Sequence, residues 1–142
     1  MLGWDSTVRV SRDRRESDAA RWNWLLQYGL ATDGSADHLT NSGTGMVVWQ
    51  DYIAGCNPTN PASVFAITQT ACDPSSGGLV VYWPSISNRF YDLNRATNLL
   101  AGTNAFIIIP GASNMPASPP ENSYTDSVPG IGPVFYRIDV HK

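Results

Sequence analysis

Thr40, Ser42 and Thr44 alternate ahead of Gly45, and Asp51 closes the same stretch, TNSGTGMVVWQD. Side-chain oxygens at alternate positions, a glycine for a sharp turn and a carboxylate in the twelfth place are the spacing of a calcium-binding loop entering a helix. With Gly45 in the sixth place, Met46 supplies the backbone carbonyl of the seventh, Val48 takes the ninth and Asp51 the twelfth. Asp51 is the one carboxylate in that set, and calcium affinity follows ligand charge. Weak binding or none is therefore expected. Asp33 and Asp37 lie just upstream, where the chain can fold back to add charge. Three readings of residues 40–51 stand: a turn held by hydroxyl-to-backbone bonds, which Ser and Thr form readily, a weak calcium site built from Asp51 with Asp33 or Asp37, or something unrelated to calcium.

His38 beside Asp37 is the one titratable pair next to that loop. Its chemistry would be that of a general base adjoining a Lewis-acid cation that polarises an ester or lactone carbonyl. The bland alternative is an exposed loop histidine. Other chemistries find little in the chain. No G-x-S-x-G elbow, Gly-rich phosphate loop or dinucleotide fingerprint occurs, and Gly77-Gly78 reads as a turn between strands. The two histidines, His38 and His141, are too few and too far apart for a histidine-based metallohydrolase. Asp92, Asp126 and Asp139 are scattered, whereas a glycosidase needs two carboxylates facing each other across a cleft. Trp83, Phe90, Tyr91, Phe106, Phe135 and Tyr136 could form a sugar-binding strip, but aromatics at strand spacing are more often core.

The elements that must position these residues come in two kinds. Residues 18–30, DAARWNWLLQYGL, read as a helix with Ser17 or Asp18 as cap and Gly29 as stop. Trp22, Leu25 and Leu26 take the i, i+3, i+4 spacing of one buried face. Residues 31–45 are polar and Gly-rich, hence a loop. Residues 46–54 form a second short helix with Trp49, Tyr52 and Ile53 on one face and Gly55 after it. From residue 63 the period becomes alternating. SVFAITQT, GLVVYWPS, RFYDLNRA, NAFIIIPG and PVFYRIDV have strand length and are rich in Val, Ile, Phe and Tyr. Short links without helices between them call for antiparallel pairing. In the last strand Val134, Tyr136, Ile138 and Val140 would face one way and Phe135, Arg137 and Asp139 the other. The Pro-rich residues 111–121 read as a surface loop, with a short strand possible at residues 124–126.

Composition excludes some partners. The chain has 142 residues, enough to bury a core, with 11% aromatic and 15% charged residues. Five of nine basic residues precede Trp22, and from there on acidic residues outnumber basic ones, so no clustered basic face for nucleic acid is expected. Residues 1–18 lack the apolar run of a signal peptide, and no stretch is long enough to span a membrane. Cys56 and Cys72 are too few for a structural zinc site, and whether they bond to each other is open.

The residues WNWLLQYGL, then a loop, then GMVVWQDYIAG, NPTN and ASVF resemble a recurring segment of bacterial secreted and surface proteins. In that segment a helix ending in YGL precedes a calcium loop and helix similar to the half EF-hand loops of dockerins and thrombospondin type 3 repeats. VVYWPSISNRFYDLNRATNL, NSYTD and VFYRIDV resemble the fibronectin-type-III-like β module that often follows. The resemblance covers residues 20–142. It implies calcium ligands at Thr40, Ser42, Thr44, Met46 and Asp51, and the departures from acidic side chains at the first three weaken the site.

The expected architecture is α+β: an N-terminal helix–loop–helix packed on a C-terminal antiparallel β meander or small β-sandwich. Residues 1–17 form a disordered or non-native terminus, 18–60 the helix–loop–helix and 61–142 the β module. The expected function is a non-catalytic accessory or adhesion-type module of a secreted bacterial protein, with weak or vestigial calcium binding at Thr40, Ser42, Thr44, Met46, Asp51 and Asp37. Its partners would be a glycan, a cell-surface component or a parent catalytic domain. The alternative is a small calcium-assisted hydrolase of esters or lactones using His38 and Asp37.

Overall fold

The computed structural model describes residues 8–10, 18–41, 45–127, 129 and 132–142. Its elements are β1 (Val8–Val10), α1 (Asp18–Gln27), a 3-10 turn (Ser35–His38), α2 (Val48–Ala54), β2 (Gln69–Cys72), β3 (Leu79–Pro84), β4 (Phe90–Ala96), a second 3-10 turn (Gly102–Ala105), β5 (Ile107–Ile108), β6 (Met115–Pro116), β7 (Glu121–Asp126) and β8 (Phe135–His141). The fold is α+β, with N-terminal helices packed against a C-terminal antiparallel β structure.

Two sheets make up the β half. One runs β1-β8-β4-β5, with β6 also on β4; the other runs β2-β3-β7. The long pairs are antiparallel: β4 with β8 from Phe90↔His141 to Ala96↔Phe135, and β3 with β7 from Leu79↔Asp126 to Pro84↔Glu121. Alternation selects the core. Tyr91 and Leu93 of β4, Ile138 and Val140 of β8, and Val81 and Trp83 of β3 are fully buried and belong to one cluster with Tyr52 and Ile53 of α2. The second helix thus docks its apolar face on the β core, because Trp49, Tyr52 and Ile53 recur at helical spacing, while Val48 packs with Leu25 and Ala36.

The first helix buries a different face from the one expected. Leu25 is in the core, but Trp22 and Leu26 are 44% and 64% exposed. The inward set is Arg21, Trp24, Leu25 and Tyr28, a full i, i+3, i+4, i+7 stripe. Trp24 meets Tyr28 and Tyr52 edge-on, with ring centroids 5.1 Å apart in both pairs. Arg21 belongs to this stripe because its guanidinium has a carboxylate to meet, which apolar periodicity does not register. The helix ends as expected at Gly29, whose φ is +68°.

Three strand expectations shift. Residues 63–68 are not part of a strand, although Thr68 N donates to Tyr82 O at 2.9 Å, and the ladder starts only at Gln69. Residues 104–111 keep just two strand residues in β5. The Pro-rich stretch expected as a surface loop contributes β6, and Ala112 within it is fully buried. In the N-terminal segment, β1 pairs in parallel with β8, Val8↔Ile138 to Val10↔Val140. Cys56 is buried, Cys72 is exposed, and both thiols are free.

Candidate functional site

The loop between the helices is pinched shut by short-range backbone bonds. Thr40 and Val47 form an isolated antiparallel bridge. Asn41 N donates to Met46 O at 2.9 Å, Gly45 N to Asn41 O at 2.8 Å, and Val48 N to Leu39 O at 3.0 Å. Gly45 has φ +71°, the left-handed conformation that a sharp turn at this place requires and that glycine adopts without a steric penalty. Gln50 Oε1 accepts from Val47 N at 3.0 Å, closing the entry to α2. The expected ligands Ser42 and Thr44 lie outside the described residues.

Asp51 stands apart from the other expected ligands. It projects from α2 into the interior with 0% exposure, and its carboxylate oxygens make no well-formed hydrogen bond among the described residues, although the Asn41 side chain lies close enough to act on them as a donor. Burial raises its pKa from 3.8 to about 6, while the side chain of Asn41, itself buried, acts in the opposite direction. The same buried charge helps push the Cys56 thiol up to about 12, after burial itself. A carboxylate so weakly paired in a dry place is a costly arrangement.

The remaining expected residues have other surroundings. Asp37 is buried, and its Oδ2 lies 3.2 Å from Arg21 Nη1 of α1. His38 is exposed beside it. The chain neighbours His38 and Asp37 therefore sit in different environments, one in solvent and one in the interface between α1 and the turn. Thr40 is exposed, and the Met46 carbonyl accepts from Asn41. Asp33 is spent on its own turn, accepting from Ser35 N at 2.9 Å and from the Ser35 hydroxyl, and these bonds lower its pKa.

As a donor set for a hard cation the fit is partial. Asp51 offers two oxygens, Asn41 an amide and Met46 a carbonyl, all of the oxygen type that calcium takes. Asp37 already neutralises Arg21. Among the described residues, no three His, Cys, Asp or Glu side chains gather as a metal group.

Sequence reasoning missed Asn41, Arg21 and Arg89. Asn41 falls between the alternate positions of a calcium loop, so the template passes over it. Arg21 sits at the end of a charged N-terminal run and resembles it in composition. Arg89 had no signal, since it acts on backbone: its Nε donates to Ile53 O at 2.6 Å and its Nη2 to Tyr52 O at 2.9 Å, at the C-terminal end of α2. Lys142 approaches the same helix, donating to the Tyr52 hydroxyl at 2.9 Å.

The aromatic strip divides. Trp83, Tyr91 and Tyr136 are core, while Phe90 and Phe135 are partly exposed at opposite ends of the β4–β8 pair. Of the three scattered aspartates, Asp92 and Asp139 are cross-strand partners on β4 and β8. His141 Nε2 lies 3.4 Å from Asp92, and Arg137 pairs with Asp139 at 3.0 Å. Asp126 is buried elsewhere, in contact with Arg95 and Tyr136.

Fold and loop together define the class: a short β-sandwich with a helix–loop–helix docked on its core. No protein-family model, no characterised protein and no solved structure matches the chain. Among the described residues no helix is long and apolar enough to cross a membrane.

Proposed function

We propose that this chain is a non-catalytic accessory or adhesion-type module of a secreted bacterial protein, whose interhelical loop keeps a weak calcium site reduced to Asp51, Asn41 and the Met46 carbonyl. The observation that carries the cation half is Asp51: a fully buried carboxylate on which, among the described residues, only the Asn41 side chain acts as a donor, in the place where such a loop carries its last ligand. Support for the accessory half comes from how the other buried and partly buried polar side chains are used. Arg89, Asp126 and Arg95 join one element to another. The hydrolase alternative has less support, because Asp37 faces Arg21 while His38 stands in solvent.

Calcium titration of the intact chain tests the reading, followed by the fluorescence of Trp49, which sits inside the motif, and by thermal unfolding. Extracellular modules bind calcium with constants of about 10⁻⁴–10⁻³ M, so saturation is expected at millimolar calcium, and Asp51→Asn should abolish it. A flat response at about 10 mM calcium would remove the cation site. Turnover of an ester or lactone panel, stopped by chelator and by His38→Ala, would replace the accessory module with the hydrolase.

A further inference from the structure

Among the described residues four aspartates are buried: Asp37, Asp51, Asp126 and Asp139. Three of them face a guanidinium. Asp37 lies 3.2 Å from Arg21, Asp126 2.7 Å from Arg95 and Asp139 3.0 Å from Arg137. Asp51, at 0% exposure the most deeply buried of the four, joins no ion pair among the described residues. Buried charges are ordinarily paired or bound to a metal ion. This fold keeps that rule three times and breaks it at Asp51.

What is missing there is one positive charge. Each arginine in the other three places brings a single charge, and the interhelical loop has one carboxylate to balance. Asp33 is spent on its own turn, and Asp37 already neutralises Arg21. The other oxygens of the donor set, the Asn41 amide and the Met46 carbonyl, are neutral. Calcium on this set leaves an uncompensated positive charge in the interior, where net charge is costly. A monovalent cation leaves none.

The kind and number of oxygens point the same way. Calcium takes roughly six to eight oxygens, several of them charged, and this set supplies two from Asp51 and one each from Asn41 and Met46. Alkali cations are held by backbone carbonyls and other neutral oxygens with little or no charge. The Asn41 side chain, 7% exposed, now acts on Asp51 as a donor. Turning its amide about the last side-chain bond presents the oxygen instead. Sodium is nearly the size of calcium at half its charge, so a turn with the calcium spacing suits its radius, while potassium is larger.

Resting on the reading of this loop as a cation site, we propose that its resident ion is sodium, held by the Asp51 carboxylate, the Asn41 amide oxygen and the Met46 carbonyl. Sodium there does for Asp51 what the arginines do for the other three buried aspartates. Calcium binds weakly because it brings one charge too many and because it must displace the resident ion. Asp51→Asn removes the charge, and with it the need for an ion.

Thermal unfolding of the full chain at neutral pH, in a sodium-free calcium chelator, reads this directly. Sodium chloride is raised from about 10 to 500 mM while choline chloride keeps the ionic strength, and so the screening, constant. With a dissociation constant on the order of tens of millimolar, the midpoint should rise by about 3–6 °C. The rise should be smaller in potassium chloride and absent in Asp51→Asn. Calcium titration of Trp49 fluorescence is the second arm, and its midpoint should move up about tenfold between low and high sodium at the same ionic strength. Calcium saturation that sodium does not shift, with equal melting in sodium and choline, overturns the sodium assignment and leaves the calcium site standing. A chain indifferent to both ions overturns the sodium assignment and the cation site together. A sodium response that survives in Asp51→Asn also overturns it, because the ion then binds elsewhere.

Discussion

Asp51 is the residue on which the loop turns, and its protonation has a calculable sign. In the unfolded chain it titrates near 3.8, and in the fold near 6. Below about pH 3.8 it is protonated in both states and has no effect on stability. Between the two values the unfolded chain releases the proton while the fold retains it, so stability falls as pH rises, and above 6 the full penalty remains. The gap corresponds to on the order of 3 kcal/mol. In chelator, Asp51→Asn should therefore be more stable than the parent above pH 6, with the difference shrinking toward pH 4. Urea melts of the pair across that range measure it, and a difference that stays flat with pH would show that Asp51 is not buried as a charge. The sequence displayed this residue through the loop spacing. What spacing could not display is its complete burial beside Asn41, which depends on where the chain folds back.

At the scale of elements, α2 is held at both ends by different devices. Gln50 reaches back to its entry, and its exit turns through Gly55, where φ is +76° and a Cβ would run into Ile86. Beyond the last turn, helix carbonyls lack intrahelical partners, and Arg89, just before β4, supplies two bonds there. Arg89→Met should destabilise the fold by about 2–4 kcal/mol, since two buried acceptors lose a charged donor. Arg89→Lys should not restore it, as a single ammonium cannot reproduce the two-pronged geometry. Full rescue by lysine in denaturant melts would mean that charge alone matters. The helices and most strands of this fold were legible because their apolar residues repeat at 3.6 or 2. The buried face of α1 was not, because Arg21 completes its stripe with a charge that only Asp37 makes sense of. β6 was equally hidden, since Met115 and Pro116 add to a sheet edge through backbone in a segment whose composition signals a loop.

Across the whole molecule, the two sheets are tied by one polar network as well as by the apolar core. Asp126 ends β7 in the smaller sheet, and Tyr136 of β8 and Arg95 of β4 reach it from the larger one. Tyr136 donates to Asp126 Oδ2 at 2.9 Å, and Arg95 Nη1 lies 2.8 and 2.7 Å from the two carboxylate oxygens. Burial, then the neighbouring carboxylate, pushes the Tyr136 phenol up from its ordinary value, so it remains a donor throughout the physiological range. The network is asymmetric in its consequences. Tyr136→Phe removes one donor and leaves Asp126 paired, at about 1–3 kcal/mol. Arg95→Met leaves a nearly inaccessible carboxylate without its countercharge, a loss of about 3–5 kcal/mol where burial is complete. Because Arg95 itself is partly open to water, the lower end of that range is expected. Changing Asp126→Asn together with Arg95→Met should recover part of the loss, as the stranded charge goes with its partner. Chemical denaturation of the two single variants and the double variant decides the matter. A double variant no better than Arg95→Met would mean that the guanidinium acts by packing.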